Sequence, residues 1–594
     1  VIIRPAFESL WKWTLMNSVP TSTVPPTATK RADHTDSPSG GGSAPGPDGT
    51  PTQRRAHALR NQPGVVFWGS LSLVAVFVLW AGISPTSLGN SMASVMNWAA
   101  GSIGWTYLLV TLGCILLLVY LAFSRFGGIR LGKDEDRPEY STWAWLAMIL
   151  SAVMGIGLIS YGVAEPIIHF TSPPHGLAEA GTYDAAVRAL QFSYFDWGPH
   201  AWAVFGIFGL AIAYSTHRRG NNGLISPMLR PLFGQAMDGW AGHVVDILAV
   251  IATLFGTTAS LGLGASQISE GLNRVFGIPN DLFVQIVIIV GITVVFTLSA
   301  LSGVNRGIKY ISQITSVLSI LLAAYVLIIG PTGFLGNIFV RSVGQYLNDF
   351  FKVSLTTPVS DDDVQWFQSW TYFMMAWWLS WGAFVGVFLA KISRGRTIRQ
   401  FVLGVLGVPS LVFFAWFTIF GGTAIKFDMD GDGGIGKAAS SDLNSAFFET
   451  LAHMPLVGVT SVIAIILVVL FFVSGADANT FVLSMLTSRG TLEPSRPILT
   501  TWGAVTGMSA IVLFLVGGLD ALQQAAMISA LPFALVVAAL GISLMKALGE
   551  DHDLDFTRPV RVEDVRPESL RMRHDVIRLD FDNPPTSDVP TGRN

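Results

Sequence analysis

The stretch "MAWWLSWGAFVG" (residues 375–386) sets Trp377, Trp378 and Trp381 within five positions and follows them with Gly382 and Gly386. A second aromatic group, Trp197, Trp202 and Phe205, sits in "DWGPHAWAVF". Rings at this density suit a cation that carries no N–H to donate. An aromatic face attracts such a charge and gives its methyl groups an apolar wall, at about 2 kcal/mol or more per desolvated contact. Trp377 and Trp381 are i, i+4 and share a helix face, whereas Trp378 points about 100° away. One face does not hold all three, so the spacing predicts a division between a cage and a path. The competing reading of any single tryptophan is core packing or anchoring at a lipid interface.

Other residue types widen the inventory. Asp196 and His200 flank Trp197, and Glu165 and Asp477 fall near the ends of apolar runs. An ionisable group inside such a run is a functional candidate. Asp196 is thus a candidate proton site or cation attractor, with a place at the water interface as the alternative. The segment "DMDGDGGIGKAA" resembles the start of a calcium loop through Asp428, Asp430 and Asp432, but its twelfth position is Ala439. The bidentate glutamate is therefore missing, and a polar turn is the better expectation. The single cysteine, Cys114, excludes disulfides and thiolate metal sites. No nucleophile–base pair or metal cluster stands out, so an enzyme and a resident cofactor are not expected.

These residues are set in an apolar chain. Of 594 residues, 51% are hydrophobic and 13% charged, where soluble domains carry about 25% charged. An all-α polytopic membrane protein follows. Twelve spans are predicted, near 64–84, 104–124, 141–164, 190–215, 243–268, 282–303, 309–331, 366–390, 399–420, 456–483, 499–518 and 524–546. Each is long enough to cross a hydrocarbon core of about 30 Å. Lys and Arg gather in alternate loops, at Arg125–Arg137, Arg218–Arg230, Arg306–Lys309, Lys391–Arg399 and Arg489–Arg496, while 85–103 and 519–523 have none. The basic loops are expected in the cytoplasm, with both termini beside them. Residues 1–62, rich in Ser, Thr, Pro and Gly, read as a disordered tail, and their polar opening predicts no cleaved signal segment. Residues 340–358 read as a surface amphipathic helix, and 547–594 as a polar tail.

Two spans carry glycine runs: "SAVMGIGLISYG", with Gly155, Gly157 and Gly162, and the tryptophan span with Gly382 and Gly386. Isolated glycines mark close helix packing. Paired in the third and eighth spans, each opening a set of five, they predict two broken helices around a midplane site.

The segments "MGIGLISYGVAEP", "AWAVFGIFGLAIAYST" and "AWWLSWGAFVGVFLAKISRGRTIRQF" closely resemble the betaine/carnitine/choline transporter family. The resemblance covers roughly residues 64–546. It implies a LeuT-like core of two inverted five-helix repeats, 141–335 and 366–546, preceded by two extra helices in 63–125. It also implies a homotrimer in a bacterial inner membrane. By resemblance the cage takes Trp378 with Trp197, Trp202 and Phe205. Trp377 and Trp381 line the path, Phe373 its cytoplasmic end, and the backbone around Met154, Gly155 and Gly157 receives a carboxylate. Thr253 and Thr257 resemble one sodium site; a second implies Ser151, Met154, Phe471 and Ser474. The chain departs from the family pattern at Phe205 (usually Tyr), Val153 (usually Gly), Ser160 (usually aromatic) and Gly475, where a hydroxyl is usual.

The resulting expectation is import of a betaine-type solute or related quaternary ammonium compound by alternating access, with sodium as coupling ion. Alternatives are a proton-coupled choline or ectoine transporter, a sodium-independent exchanger, and an osmosensing signalling protein. The mixed charge of the C-terminal tail weighs against the last. The expected partners are the small-molecule substrate and the bilayer, with no nucleic acid.

Overall fold

The computed structural model describes residues 63–557 except Met154, His175, Gly303, Val304 and Asp432; the side chains of 151–153, 156, 305–312 and 552–557 are also outside the description. The tail read over 1–62 and most of that over 547–594 therefore lie outside it. The described residues form helices and no strand; an isolated bridge joins Arg130 to Thr397.

In chain order the helices are α1 (Val65–Ile83), α2 (Pro85–Ile103), α3 (Trp105–Phe123), α4 (Thr142–Val153), α5 (Ile156–Thr171), α6 (Tyr183–Trp197), α7 (Pro199–Ala213) and α8 (Trp240–Phe276). Then follow α9 (Leu282–Ser302), α10 (Asn305–Ile329), α11 (Thr332–Asn348), α12 (Phe373–Ile392), α13 (Ile398–Asp430), α14 (Gly434–Ser441), α15 (Ser445–Ala452), α16 (Val457–Thr487) and α17 (Arg496–Thr557). Among the described residues, eight helices are long and apolar enough to cross a membrane, or nine if the bent pair α10–α11 is one span.

Several elements differ from the sequence expectation for local reasons. The span read over 141–164 is two helices, because Gly155 is extended (φ −132°, ψ −174°). The span read over 190–215 is also two, parted at Gly198 with Pro199 opening α7; proline is pre-organised for a first turn. Residues 85–103, read as a loop, form α2. The last two spans are one run bent at Gly517 and Gly518, where Gly518 has φ +61°. That run continues past 546, where the polar tail was placed. Arg218 pairs with Asp551 at 2.5 Å, and Tyr214 donates to the Ala547 carbonyl at 3.1 Å.

The second broken helix is absent. α12 is continuous through Gly382 and Gly386, and α7 packs along it. A Cβ on Gly386 would lie 2.4 Å from Phe208 Cβ and 3.0 Å from the Gly209 nitrogen. Gly386 admits the α7 backbone and Gly382 the Phe208 ring, without unwinding their own helix, the small-residue packing common between membrane helices.

The surface helix begins at Thr332, not 340, after a 107° bend from α10, and a short helix at Phe350–Ser354 follows it. Asp349 ties it to α6. Its carboxylate accepts from Arg188 at 2.6 Å and Gln345 at 2.7 Å, and more weakly from Gln191. Burial pushes this carboxyl up, but the bonds from Gln345, Arg188, Gln191 and Asn348 outweigh it and hold it at about 2. A carboxyl lowered on folding stabilises above its ordinary value and loses that contribution as pH falls towards the folded value. Asp349→Asn is therefore expected to lower the melting temperature in detergent by roughly 2 °C at pH 7. The difference from wild type should shrink as pH falls from about 4 to about 2, and an unchanged difference would remove the linkage.

The basic loops do structural work as well. Arg130 donates to the Gly395 carbonyl at 3.0 Å, and Arg396 lies 4.1 Å over the Trp145 ring. Arg399 donates to the Ala122 carbonyl at 2.8 Å. The calcium-like segment is a turn: Asp428 accepts from the Ile435 and Gly436 amides at the start of α14, and Asp430 pairs with Lys426. Asp432 lies outside the described residues.

Candidate functional site

Five helices converge on one cavity. α5 brings Gly157 and Leu158, with Gly155 just before it. α6 brings Trp197, and α7 brings Ala201, Trp202 and Phe205. α12 adds Trp377, Trp378 and Trp381, and α13 adds Phe413. Trp377, Trp378 and Trp381 all line this space. Trp377 and Trp378 stack at 5.3 Å and 17°, so the length of the indole reaches across the angle between their Cα–Cβ directions. Phe373 lies behind them, stacked on Trp377 at 5.3 Å.

The rings stand mostly edge to face. Trp197 meets Trp378 at 4.9 Å and 71°, Phe205 meets Trp378 at 5.9 Å and 86°, and Trp202 meets Phe205 at 5.7 Å and 88°. Such pairs expose both faces and edges to the enclosed space. Hydrogen bonds fix the indoles in place. Trp378 donates to the Asp196 carbonyl at 2.7 Å, Trp197 to Glu165 at 2.7 Å, and Trp377 to both the Gly256 carbonyl and Ser260 at 3.3 Å. The Trp381 N–H is buried without a partner. Gly157 is needed for this arrangement, because a Cβ there would sit 2.4 Å from Trp197 Cη2.

Among the described residues, no lining side chain carries a charge. The polar element is backbone: Gly155 precedes the first turn of α5, where the Leu158 N–H bonds the Gly155 carbonyl at 3.1 Å and the earlier N–H groups lie at the helix N-terminus. An apolar, π-rich wall beside a helix N-terminus can hold a cationic head and an anionic tail at once.

A second cavity shares Gly155 and Trp381 with the first. Thr257, Phe471 and Ser474 line it, with Ser260, Phe384 and Asn479. The Thr257 hydroxyl donates to the Thr253 carbonyl at 2.8 Å, so one sodium-candidate threonine bonds its own helix. The Thr253 hydroxyl and the Asn479 side-chain oxygen are buried without partners. Met154, and the side chains of Ser151 and Val153, lie outside the described residues.

Asp196 is fully buried, which corrects its alternative place at the water interface. Glu165 is equally buried inside α5 and is not near a span end. Ser160 is buried with its hydroxyl unpartnered. Sequence reasoning missed Phe413, one of several aromatics in "LVFFAWF" that periodicity alone cannot rank. It also missed Asn479, which its polarity inside an apolar run could have flagged.

Residues 65–553 match the model of the BCCT family, described as betaine/carnitine/choline family transporter. The chain is 44% identical to the glycine betaine transporter OpuD of Bacillus subtilis, over 82% of this chain and 94% of that protein. It is 38% identical to the betaine/ectoine transporter LcoP of Corynebacterium glutamicum, over 83% and 79%. It is also 38% identical to an ectoine/hydroxyectoine transporter of Virgibacillus pantothenticus, over 82% and 96%. With the family model spanning nearly all the described helices, this chain belongs to the BCCT family and is a membrane transporter rather than an enzyme.

Proposed function

We propose that this protein imports a betaine-type compatible solute, glycine betaine first among them, by alternating access across a bacterial inner membrane. The observation that carries this reading is the charge-free aromatic cavity beside the N-terminus of α5. A trimethylammonium group has no N–H for a carboxylate to bind, and Trp197, Trp202, Phe205, Trp377, Trp378 and Trp381 offer it ring surface. The substrate carboxylate then meets the backbone at Gly155 and Gly157, with Met154 completing that stretch. The substrates in the relatives' names, glycine betaine and ectoine, support the same class.

Sodium is the proposed coupling ion. One proposed site takes the hydroxyls of Thr253 and Thr257, and the other takes Phe471 and Ser474 with Ser151 and Met154; Thr257, Phe471 and Ser474 line the second cavity. The unpartnered Thr253 hydroxyl and Asn479 oxygen are acceptors such an ion would satisfy.

The architecture proposed with this function has twelve spans. Taking α4–α5 and α6–α7 each as one interrupted crossing, and α17 as two, brings the nine apolar candidates to that number. In this reading 141–335 and 366–546 are inverted repeats, the termini are cytoplasmic beside the basic loops, and the assembly is a homotrimer.

The test is uptake of radiolabelled glycine betaine, choline, carnitine and ectoine into proteoliposomes. Glycine betaine uptake is expected with an inward sodium gradient and is expected to fall to background in potassium buffer. Uptake of none of the four would overturn the substrate class, and equal uptake in both buffers would overturn sodium coupling.

A further inference from the structure

Behind the cage, on the far side of Trp197, lie three fully buried ionisable side chains: Glu165 and His169 on α5 and Asp196 on α6. One ligand atom from each lies within 4.8 Å of the others. Glu165 Oε2 accepts the Trp197 N–H, and Glu165 Oε1 is 3.8 Å from His169 Nε2. Glu165 Oε1, both Asp196 carboxyl oxygens and both His169 ring nitrogens are buried without a hydrogen-bond partner. Among the described residues, no Lys or Arg pairs with either carboxyl. The other titratable groups facing them are the Tyr161 hydroxyl from α5 and the Tyr346 hydroxyl from α11. Neither supplies positive charge.

Two adjacent carboxylates cannot both remain anionic at membrane depth without compensation. A proton on one lets it donate to the other, and the pair then titrates as a unit. The His169 ring packs 4.9 Å from Trp366, whose N–H bonds the Ser172 carbonyl. The walls on this side are aromatic: Trp366, Trp370 and Phe192.

We propose that Glu165, Asp196 and His169 form a proton-holding site, in which one proton is shared between the two carboxyls and exchanged through His169. In loading, the Nε2–H bond of a protonated His169 breaks, an O–H bond forms on Glu165 Oε1, and the imidazole returns to neutral. Release runs in reverse. The state of the pair reaches the cage by two bonds already described: Trp197 hangs on Glu165, and Trp378 on the Asp196 carbonyl. Glu165 and Asp196 are thus positioning residues for the cage. This deepens the betaine reading and rests on it for the effect on ligand, though not for the proton itself.

Two measurements on the full chain test it. Infrared difference spectra of ligand-free protein across pH should show a buried carboxylic-acid C=O band, shifted in heavy water, moved in each of Glu165→Gln and Asp196→Asn as the remaining acid loses its partner, and lost when both substitutions are combined. Both substitutions keep the shape, and Gln still accepts the Trp197 N–H; an unchanged elution profile in detergent establishes that the variants fold. Separately, the wild-type dissociation constant for glycine betaine should change about tenfold between about pH 5.5 and 8.5, a usual size for coupling between sites. The change should be under about twofold in Asp196→Asn. A band that neither single substitution moves, or that survives the double substitution, overturns the proton site. A pH effect that persists in the variants, or that sodium at fixed pH reproduces only when Asp196 is present, overturns it as well. If betaine binds at no pH while the band behaves as expected, the substrate reading fails and the proton site stands.

Discussion

Trp378→Leu is expected to weaken glycine betaine binding about thirtyfold, with the protein still folded. Its ring touches Trp197, Trp377 and Phe205 around the cavity, so it contributes a desolvated face to any cation held there. Loss of one such contact is worth about 2 kcal/mol, which is about thirtyfold in affinity. Trp197→Leu should match it or exceed it, because the Glu165 carboxylate then loses its N–H donor. Equilibrium binding of radiolabelled betaine to purified protein is the measurement, since fluorescence changes with the tryptophan count. Betaine affinity unchanged in both variants would end the cage reading. If choline is weakened as strongly as betaine while an uncharged analogue is not, the rings act on the cationic head.

Gly386→Val is expected to cost the most stability of any single change considered, about 3 kcal/mol or more. The added side chain would meet Phe208 and the Gly209 nitrogen. Backbone cannot yield as a flexible side-chain tip can, so α7 and α12 must separate and the cage they share must open. Thermal unfolding in detergent and the yield of monodisperse protein measure this. Gly407→Ala on α13 is the control, for nothing lies within 4 Å of its Cβ position and alanine favours a helix over glycine. A Gly386→Val protein as stable as wild type would restore a role for that glycine in unwinding.

The aromatic inventory was legible in the sequence because tryptophan is rare and its clustering is visible in one dimension. Trp197, Trp202, Phe205, Trp377, Trp378 and Trp381 were all marked there, and the structure gathers them at one cavity. Glycine was less legible. Gly155 does interrupt a helix, whereas Gly386 lies inside a continuous one. The residue has no side chain in either role, so the sequence carries no sign of which neighbour approaches.

Ionisable groups show the same limit. Glu165 and Asp196 lie thirty-one positions apart, and nothing in their flanking residues announces that α5 and α6 set them side by side. Asp349 and Arg188 are likewise joined only by the turn after α10.

By itself the sequence determined that this chain lives in a membrane, since apolar runs of spanning length leave it no soluble alternative. It also determined which side chains exist to meet a cation. Only the tertiary structure decided that five helices bring those rings to one space, that α12 stays whole, and that a buried acid pair stands behind Trp197. Hydropathy and periodicity report the environment of one helix face at a time. Which other face arrives there is set by packing between distant segments, and that information is distributed over the whole fold.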